Sequence, residues 1–277
     1  MTVDEMELCW VPAGPFLMGS KEEDKDADDD EKPQFECFLP YDLWMGRYPV
    51  TVAQYTEYAA ETGKHLPLPN QRANEPAVAA TWYEAVDFCR WLTVRWRKLG
   101  SIKSGWEARL PSEAEWEKAA RGGLVLPSDS VIQVVGGRVP KGLKTNLNPN
   151  PGRYFPWGSS ADENYCNYRD LIGRLNAVGC FPSGSSPYGV EELSGNVREW
   201  TRSLWGESAG KSAFGYPYTT EDGREDLDAS AKVLRVLRGG AFGSGYRGIR
   251  CAFRLTNSPG FPSAYIGFRI VLTPTSL

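Results

Sequence analysis

Three stretches of the chain repeat apolar residues at helical spacing, and each opens on the same polar signature. Thr51 with Gln54, Thr81 with Glu84 and Ser112 with Glu115 are boxes in which a hydroxyl and an acid or amide three residues on satisfy two orphan backbone amides reciprocally. The first box predicts a helix running to Gly63. The second predicts a helix with Ala85, Phe88, Cys89, Leu92 and Trp96 on one face, and the third, after Pro111, turns Trp116 and Ala119 inward and stops at Gly122 and Gly123. Aromatic residues on such faces read as core. Shorter apolar runs predict strands: two between Glu7 and Gly19 joined by a Pro/Gly turn, one from Phe35, one from Leu43 ending at the first helix, and one buried strand over Ile266 to Val271. Lys21 to Lys32 holds eight acids and three lysines without the glycine or the alternation of a calcium loop, so it predicts a solvated loop. The runs 124–157 and 205–233 are rich in Gly, Pro, Ser and polar residues and predict long irregular connections.

Composition narrows the function classes. A chain of 277 residues that is 41% hydrophobic can bury a large core as one large domain or two small ones. Its net charge of -4 implies no basic surface for nucleic acid or anionic lipid. No apolar run is long enough for a membrane span, and the first residues have neither a basic nor an apolar signal region. The expectation is a soluble chain, cytoplasmic or exported by a route the sequence does not display. Six scattered cysteines without a CxxC pair read as buried free thiols, with the pairing of Cys166 and Cys180 left open. His65 is the lone histidine, so histidine triads and multi-histidine metal sites are excluded.

The densest functional signal lies between Arg238 and Arg269. A glycine pair opens this stretch, and between it and Ile266 run small residues, arginines and the large side chains Phe242, Tyr246, Phe253, Phe261 and Tyr265. Rigid aromatics interleaved with Ser, Gly and Asn have the composition of a paratope. The stretch also lacks something. Lys, Glu, Gln, Trp and Met make up 50 of the 251 residues outside Ala241 to Ile266, so these 26 residues should hold roughly five, and they hold none. Those five types are the ones unreachable when only the adenines of AAC or AAT codons are randomised. Arg250, Arg254 and Arg269, in a segment without acids, are expected to pair with carboxylates or carbonyls beneath the loops, leaving Arg247 as a surface charge. The second dense stretch, Pro187 to Trp200, places Glu192, Glu199 and the carbonyls around Gly195 and Val197 within one turn, a set of oxygens that suits a hard cation.

The motifs M-G-S, G-R-Y-P-V-T, A-T-W-Y-E-A-V-D-F-C-R-W-L, R-L-P-S-E-A-E-W-E-K-A-A-R-G-G, F-P-W-G, S-G-N-V-R-E-W, V-L-R-G-G and I-G-F-R occur in order along about 90% of the chain. Together they resemble the formylglycine-generating enzyme (sulfatase-modifying factor) family. The resemblance implies an α+β, C-type lectin-like fold of that family's subtype over residues 1–277, with insertions at 124–153 and 206–232. It further implies Ca²⁺ contacts at Glu192, Gly195, Val197 and Glu199, and less surely at Asn167 and Tyr168. The active enzymes of this family carry a copper-binding cysteine pair, but Ser244 stands at the first position and the chain is about three residues short at the second. Without soft thiolates there is no copper(I) site.

The C-terminal spacing instead resembles the variable proteins of diversity-generating retroelements, with framework residues Gly239, Gly240, Arg250, Ala252, Arg254, Pro259, Gly267, Phe268 and Arg269 in register and Pro262 in place of an Arg. In that branch the randomised codons are AAC or AAT, which accounts for the missing residue types. The resemblance implies no enzyme but a ligand-binding face at 239–269 built from Phe242, Ser244, Tyr246, Phe253, Leu255, Thr256, Phe261, Ser263, Ala264 and Tyr265. Its ligand would be a protein or other macromolecule, and not nucleic acid, because Arg247 alone is too little surface charge for phosphate-driven affinity. A catalytically degenerate or atypical formylglycine-generating-type enzyme is the alternative.

Overall fold

The structure, a computed structural model, describes residues 2–66, 68, 70–135 and 142–275. All three boxes cap helices as the sequence predicts: α1 (Val52–Thr62), α2 (Trp82–Lys98) and α3 (Glu113–Arg121). α1 ends where Gly63 takes a left-handed φ of 72°. β1 (Glu7–Val11), β2 (Gly14–Met18) and β3 (Phe35–Leu39) form where alternation places them. β1 and β2 do not make a hairpin, because both edges of β1 are already taken. It lies in a five-stranded sheet with β4 (Leu43–Gly46), β5 (Trp106–Arg109), β7 (Ile132–Val134) and β13 (Val271–Pro274), in the order β5-β13-β4-β1-β7. β2 pairs with β3 instead.

A second sheet, in the order β11-β10-β9-β12, joins β9 (Arg198–Gly206), β10 (Leu234–Arg238), β11 (Leu255–Asn257) and β12 (Ile266–Gly267), with β12 parallel to β9. The single strand expected over Ile266 to Val271 is therefore two. The chain crosses from one sheet to the other through Phe268, Arg269 and Ile270, all buried. Phe268 enters the aromatic core of α1 and α2 there, edge-on to Phe88 at 5.3 Å and to Tyr55 at 6.4 Å.

α3 departs from an amphipathic helix, since all nine of its residues are buried. Burial of so many charges is tolerable only when each is matched. Glu113 meets Arg254, Glu115 meets Arg109, and Glu117 meets both Arg121 and Arg238. Lys118 Nζ donates to the carbonyls of Pro12 at 2.6 Å and Gly14 at 2.8 Å, and burial pulls its pKa down to about 8.

Within the 124–153 segment β6 (Val125–Pro127) pairs with β8 (Thr145–Leu147). The 206–232 segment buries Arg224 and carries Glu225 into the body. Burial pushes the Glu225 carboxyl up to about 7, against the opposing pull of Arg202 and of hydrogen bonds donated by Ser203 and Tyr218. A carboxyl raised in the folded state contributes its stability fully below the unfolded value of 4.5 and loses it as pH rises through about 7. Glu225→Gln is thus expected to flatten the stability profile between those values, by on the order of 2 kcal/mol at pH 8. Denaturant melts from pH 4 to 8 check this, and an unchanged profile would mean the carboxyl ionises freely. All six cysteines are free, and of the pair left open by the sequence Cys166 is buried while Cys180 is exposed. Among the described residues no helix is long and apolar enough to cross a membrane.

Candidate ligand-binding face

The segment 239–269 leaves β10 through a glycine pair that no other residue could replace. Gly240 has a φ of 69°, and a Cβ there would stand 2.4 Å from the Gly248 carbonyl oxygen. Beyond the turn, the arginines act as pins. Both nitrogen arms of Arg250 reach Glu31 at 2.7 Å, Arg254 forks onto Glu113 at 2.8 and 2.9 Å, and Arg269 forks onto Glu199 at 2.6 and 2.7 Å. Bidentate guanidinium pairing fixes direction as well as charge. The expectation of pairing beneath the loops holds, and Arg238 joins it by pairing with Glu117 under the first turn. Arg247 stays at the surface, as expected, and meets Asp26 at 2.9 Å.

Between the pins the positions assigned to the face are held by main chain. Phe242 N donates to Asn196 O at 3.0 Å, and Phe242 O accepts from Asp170 N at 2.8 Å. Ser244 O accepts from Arg169 N at 2.9 Å, Tyr265 O from Arg198 N at 2.9 Å, and Ser263 O from Ala79 N at 3.0 Å. Leu255 and Thr256 lie in the ladder with β10. Bonds of this kind do not depend on the identity of the side chain. Arg169 and Asp170, both non-glycine residues at positive φ (58° and 56°), form the loop that clamps positions 242 and 244.

Nine of the ten side chains assigned to the face are exposed or half-buried. Phe261, Tyr265 and Tyr246 are 55%, 44% and 43% exposed, and Ala264 is exposed. Phe242, Phe253, Leu255, Thr256 and Ser263 are half-buried, with Leu255 packed against the helical core. Ser244 is the correction: it is buried, and its Oγ accepts from Ala241 N at 2.9 Å to close the glycine turn. The structure brings Phe242 and Tyr265 into ring contact at 5.0 Å. Leu255 and Thr256 lie on the opposite edge of the sheet, about 14 Å from β12 at ordinary strand spacing.

The acidic run is also corrected. Its outer end, Lys21 to Glu23, is exposed, but Asp29–Glu31 forms a turn that carries Glu31 into the body as the partner of Arg250. Asp30 O accepts from Arg254, and burial raises the Asp30 carboxyl to about 6. Asp26 accepts from the hydroxyl of Tyr246 at 3.0 Å. The sequence carries the signal for this: an acid-free segment with five arginines needs carboxylates from elsewhere, and the run at 21–32 is the richest supply.

The S-G-N-V-R-E-W turn is tight. Gly195 has a φ of 77°, and a Cβ on it would approach the Asn167 carbonyl oxygen to 2.2 Å. Asn167 is buried there with Tyr168, and its Oδ1 has no partner. Glu192 accepts from Asn196 Nδ2 at 3.0 Å and Gly179 N at 3.1 Å. Burial raises its carboxyl to about 8 against those bonds. Glu199 accepts from Arg269 on both oxygens and from Trp116 Nε1 at 2.8 Å. Calcium takes about six to eight oxygens. Here all four carboxylate oxygens of Glu192 and Glu199 already accept N–H donors, and Arg269 supplies the positive charge beside Glu199. As arranged, the carboxylates of Glu192 and Glu199 are engaged by N–H donors of the protein, whereas Asn167 Oδ1 in the same turn accepts none.

Arg198, which the sequence did not single out, stands between the turn and the face. It opens β9, is half-buried, and pairs in register with Ile266.

The family model of the sulfatase-modifying factor enzyme 1-like domain matches residues 2–274. A serine/threonine-protein kinase, pkn1, of Chlamydia caviae is 27% identical over 95% of this chain, which spans 37% of that relative's length. Formylglycine-generating enzyme of Thermomonospora curvata is 27% identical, over 95% of this chain and 92% of its own. Variable protein 1 of Treponema denticola superimposes with a TM-score of 0.61 at 19% identity, covering 96% of this chain and 95% of that one. The fold is the expected α+β, C-type lectin-like fold of the formylglycine-generating subtype.

Proposed function

We propose that this chain, which belongs to the sulfatase-modifying factor enzyme 1-like domain family, binds a protein or other macromolecular ligand through the side chains of 239–269 and catalyses no reaction there. The observation that carries this reading is the division of labour in the segment. Framework arginines and main-chain hydrogen bonds hold it, while exposed and half-buried aromatic side chains line its outer side. Exposed Phe261, Tyr265 and Tyr246 with half-buried Phe242 give the large, rigid contact area that binding loops use.

The family's oxidase chemistry finds no support in these residues. Ser244 is buried in a turn at the position where the resemblance places a cysteine, and burial pushes the thiol of Cys251 up to about 12. The lone His65 is exposed on a loop.

Two measurements test the reading. In the flanking DNA, a second copy of the sequence encoding 239–269 should differ from the first at adenines, with the differences falling in the codons of the outward positions. Peptides selected on the wild type from a random display library should lose binding when Phe242, Tyr246 and Tyr265 are replaced together by Ser, with the melting temperature nearly unchanged. A large drop in melting temperature, or retained binding, would mean that the segment is structural.

A further inference from the structure

We propose that Arg198 is a fixed specificity residue of this face and receives a carboxylate of a protein ligand, an Asp or Glu side chain or a chain terminus, beside the Phe242–Tyr265 ring pair. The inference rests on the reading of 239–269 as a binding face. Five arginines of the segment set the comparison. Arg238, Arg247, Arg250, Arg254 and Arg269 each meet a carboxylate of this chain. Arg198 meets none. Its Nη2 reaches only as far as Ser244 Oγ, 3.5 Å away, and its Nε has no partner.

The surroundings leave that charge unanswered. Half-burial lowers the pKa of Arg198, and Tyr265, the neighbour of Phe242 in the ring pair, is the ionisable group that acts on it. Its own backbone N–H donates to Tyr265 O, which fixes the guanidinium stem at the root of the face. Arg169, whose backbone N–H donates to Ser244 O, is exposed and has no carboxylate partner among the described residues. Asp170 is the acid of this rim, lying against Gly243. A guanidinium that has shed part of its water without gaining an anion is poised for a charge-assisted, bidentate bond, stronger here than at a fully wet site.

Position gives the residue a further role. Arg198 lies outside the segment read as diversified, so on that reading the bond it offers persists whatever Phe242 or Tyr265 becomes. A peptide carboxylate fits this arrangement better than a polyanion, because one half-buried guanidinium beside a ring pair, with the exposed Arg169 next in sequence to Asp170, offers no phosphate track on a chain of net charge -4.

Peptides selected from a random library, and shown to depend on the face by the triple Ser variant, provide the test. They should be enriched in Asp or Glu at a fixed offset from an apolar residue. Arg198→Gln should weaken their binding by about 10- to 100-fold without moving the melting temperature, and Arg198→Lys should restore part of it. Changing the peptide acid to its amide should cost the wild type as much and cost Arg198→Gln little more. Face-dependent peptides without an acid, or equal affinity for Arg198→Gln, would overturn this inference and leave the binding face standing. If no selected peptide depends on the face, both readings fall. Salt-steep binding of generic DNA or heparin that is lost in Arg198→Gln would overturn the carboxylate assignment in favour of a polyanion.

Discussion

Glu199→Ala is expected to destabilise the fold by about 3–5 kcal/mol, the cost of leaving a buried charge without its partner. Glu199 and Arg269 are both fully buried, and Arg269 also donates to the carbonyls of Gly46, Glu191 and Glu192. The guanidinium therefore ties β4 and the S-G-N-V-R-E-W turn to the crossing between the sheets. Removing its counter-charge strands it where water does not reach. Equilibrium urea melts measure the loss, and Arg269→Met combined with Glu199→Leu should regain much of it, since a buried pair exchanged for apolar groups is often neutral or better. The same melts with and without a calcium chelator separate the two accounts of this turn. Identical curves are expected, because its carboxylates are already spent on N–H donors. A wild-type melting temperature that rises with calcium, and no longer does so in Glu199→Ala, would make Glu199 a metal ligand after all.

The parts of the fold that the sequence displayed are those governed by local chemistry. Capping boxes are closed within four residues, so Thr51, Thr81 and Ser112 announced the starts of three helices to the residue. Alternation likewise located β1, β2 and β3 but not their partners, because pairing depends on which edges distant segments leave free. α3 was the hardest element to read. Its pattern of acids beside Trp116 looks amphipathic, yet Glu113 and Glu117 face inward because Arg254 and Arg238, more than a hundred residues away, come to meet them. A charge buried by pairing has the same local sequence as one left in water.

The same limit governs the face. Spacing separated framework from outward positions at Arg250, Arg254 and Arg269, where a guanidinium in an acid-free segment must find a partner elsewhere. It misplaced Ser244, whose hydroxyl serves the glycine turn. Spacing was also silent on Arg198, since nothing in the local pattern tells an arginine that has a partner from one that lacks it. In the acidic run, Glu31 is inward and Lys21 outward within one stretch of uniform charge. Which of them is buried was decided by Arg250, not by their neighbours.

Phe268 and Phe261 put the division between frame and face to the sharpest test. Phe268→Ala should cost about 3–5 kcal/mol, because its ring fills the core against Phe88 and Tyr55 and nothing nearby can collapse into the space without breaking the contact between α1 and α2. Phe261→Ala, seven residues earlier and 55% exposed, should change stability by no more than about 0.5 kcal/mol. The contrast does not follow from residue type, since both are phenylalanines in one continuous segment. It follows from what holds each position. Phe261 N donates to Ser258 O and its ring faces outward, whereas Phe268 sits at the crossing between two sheets. Chemical denaturation of the two single variants under one condition measures both effects. Comparable losses would place Phe261 in the core and remove the outward aromatic residue on which the binding reading leans most.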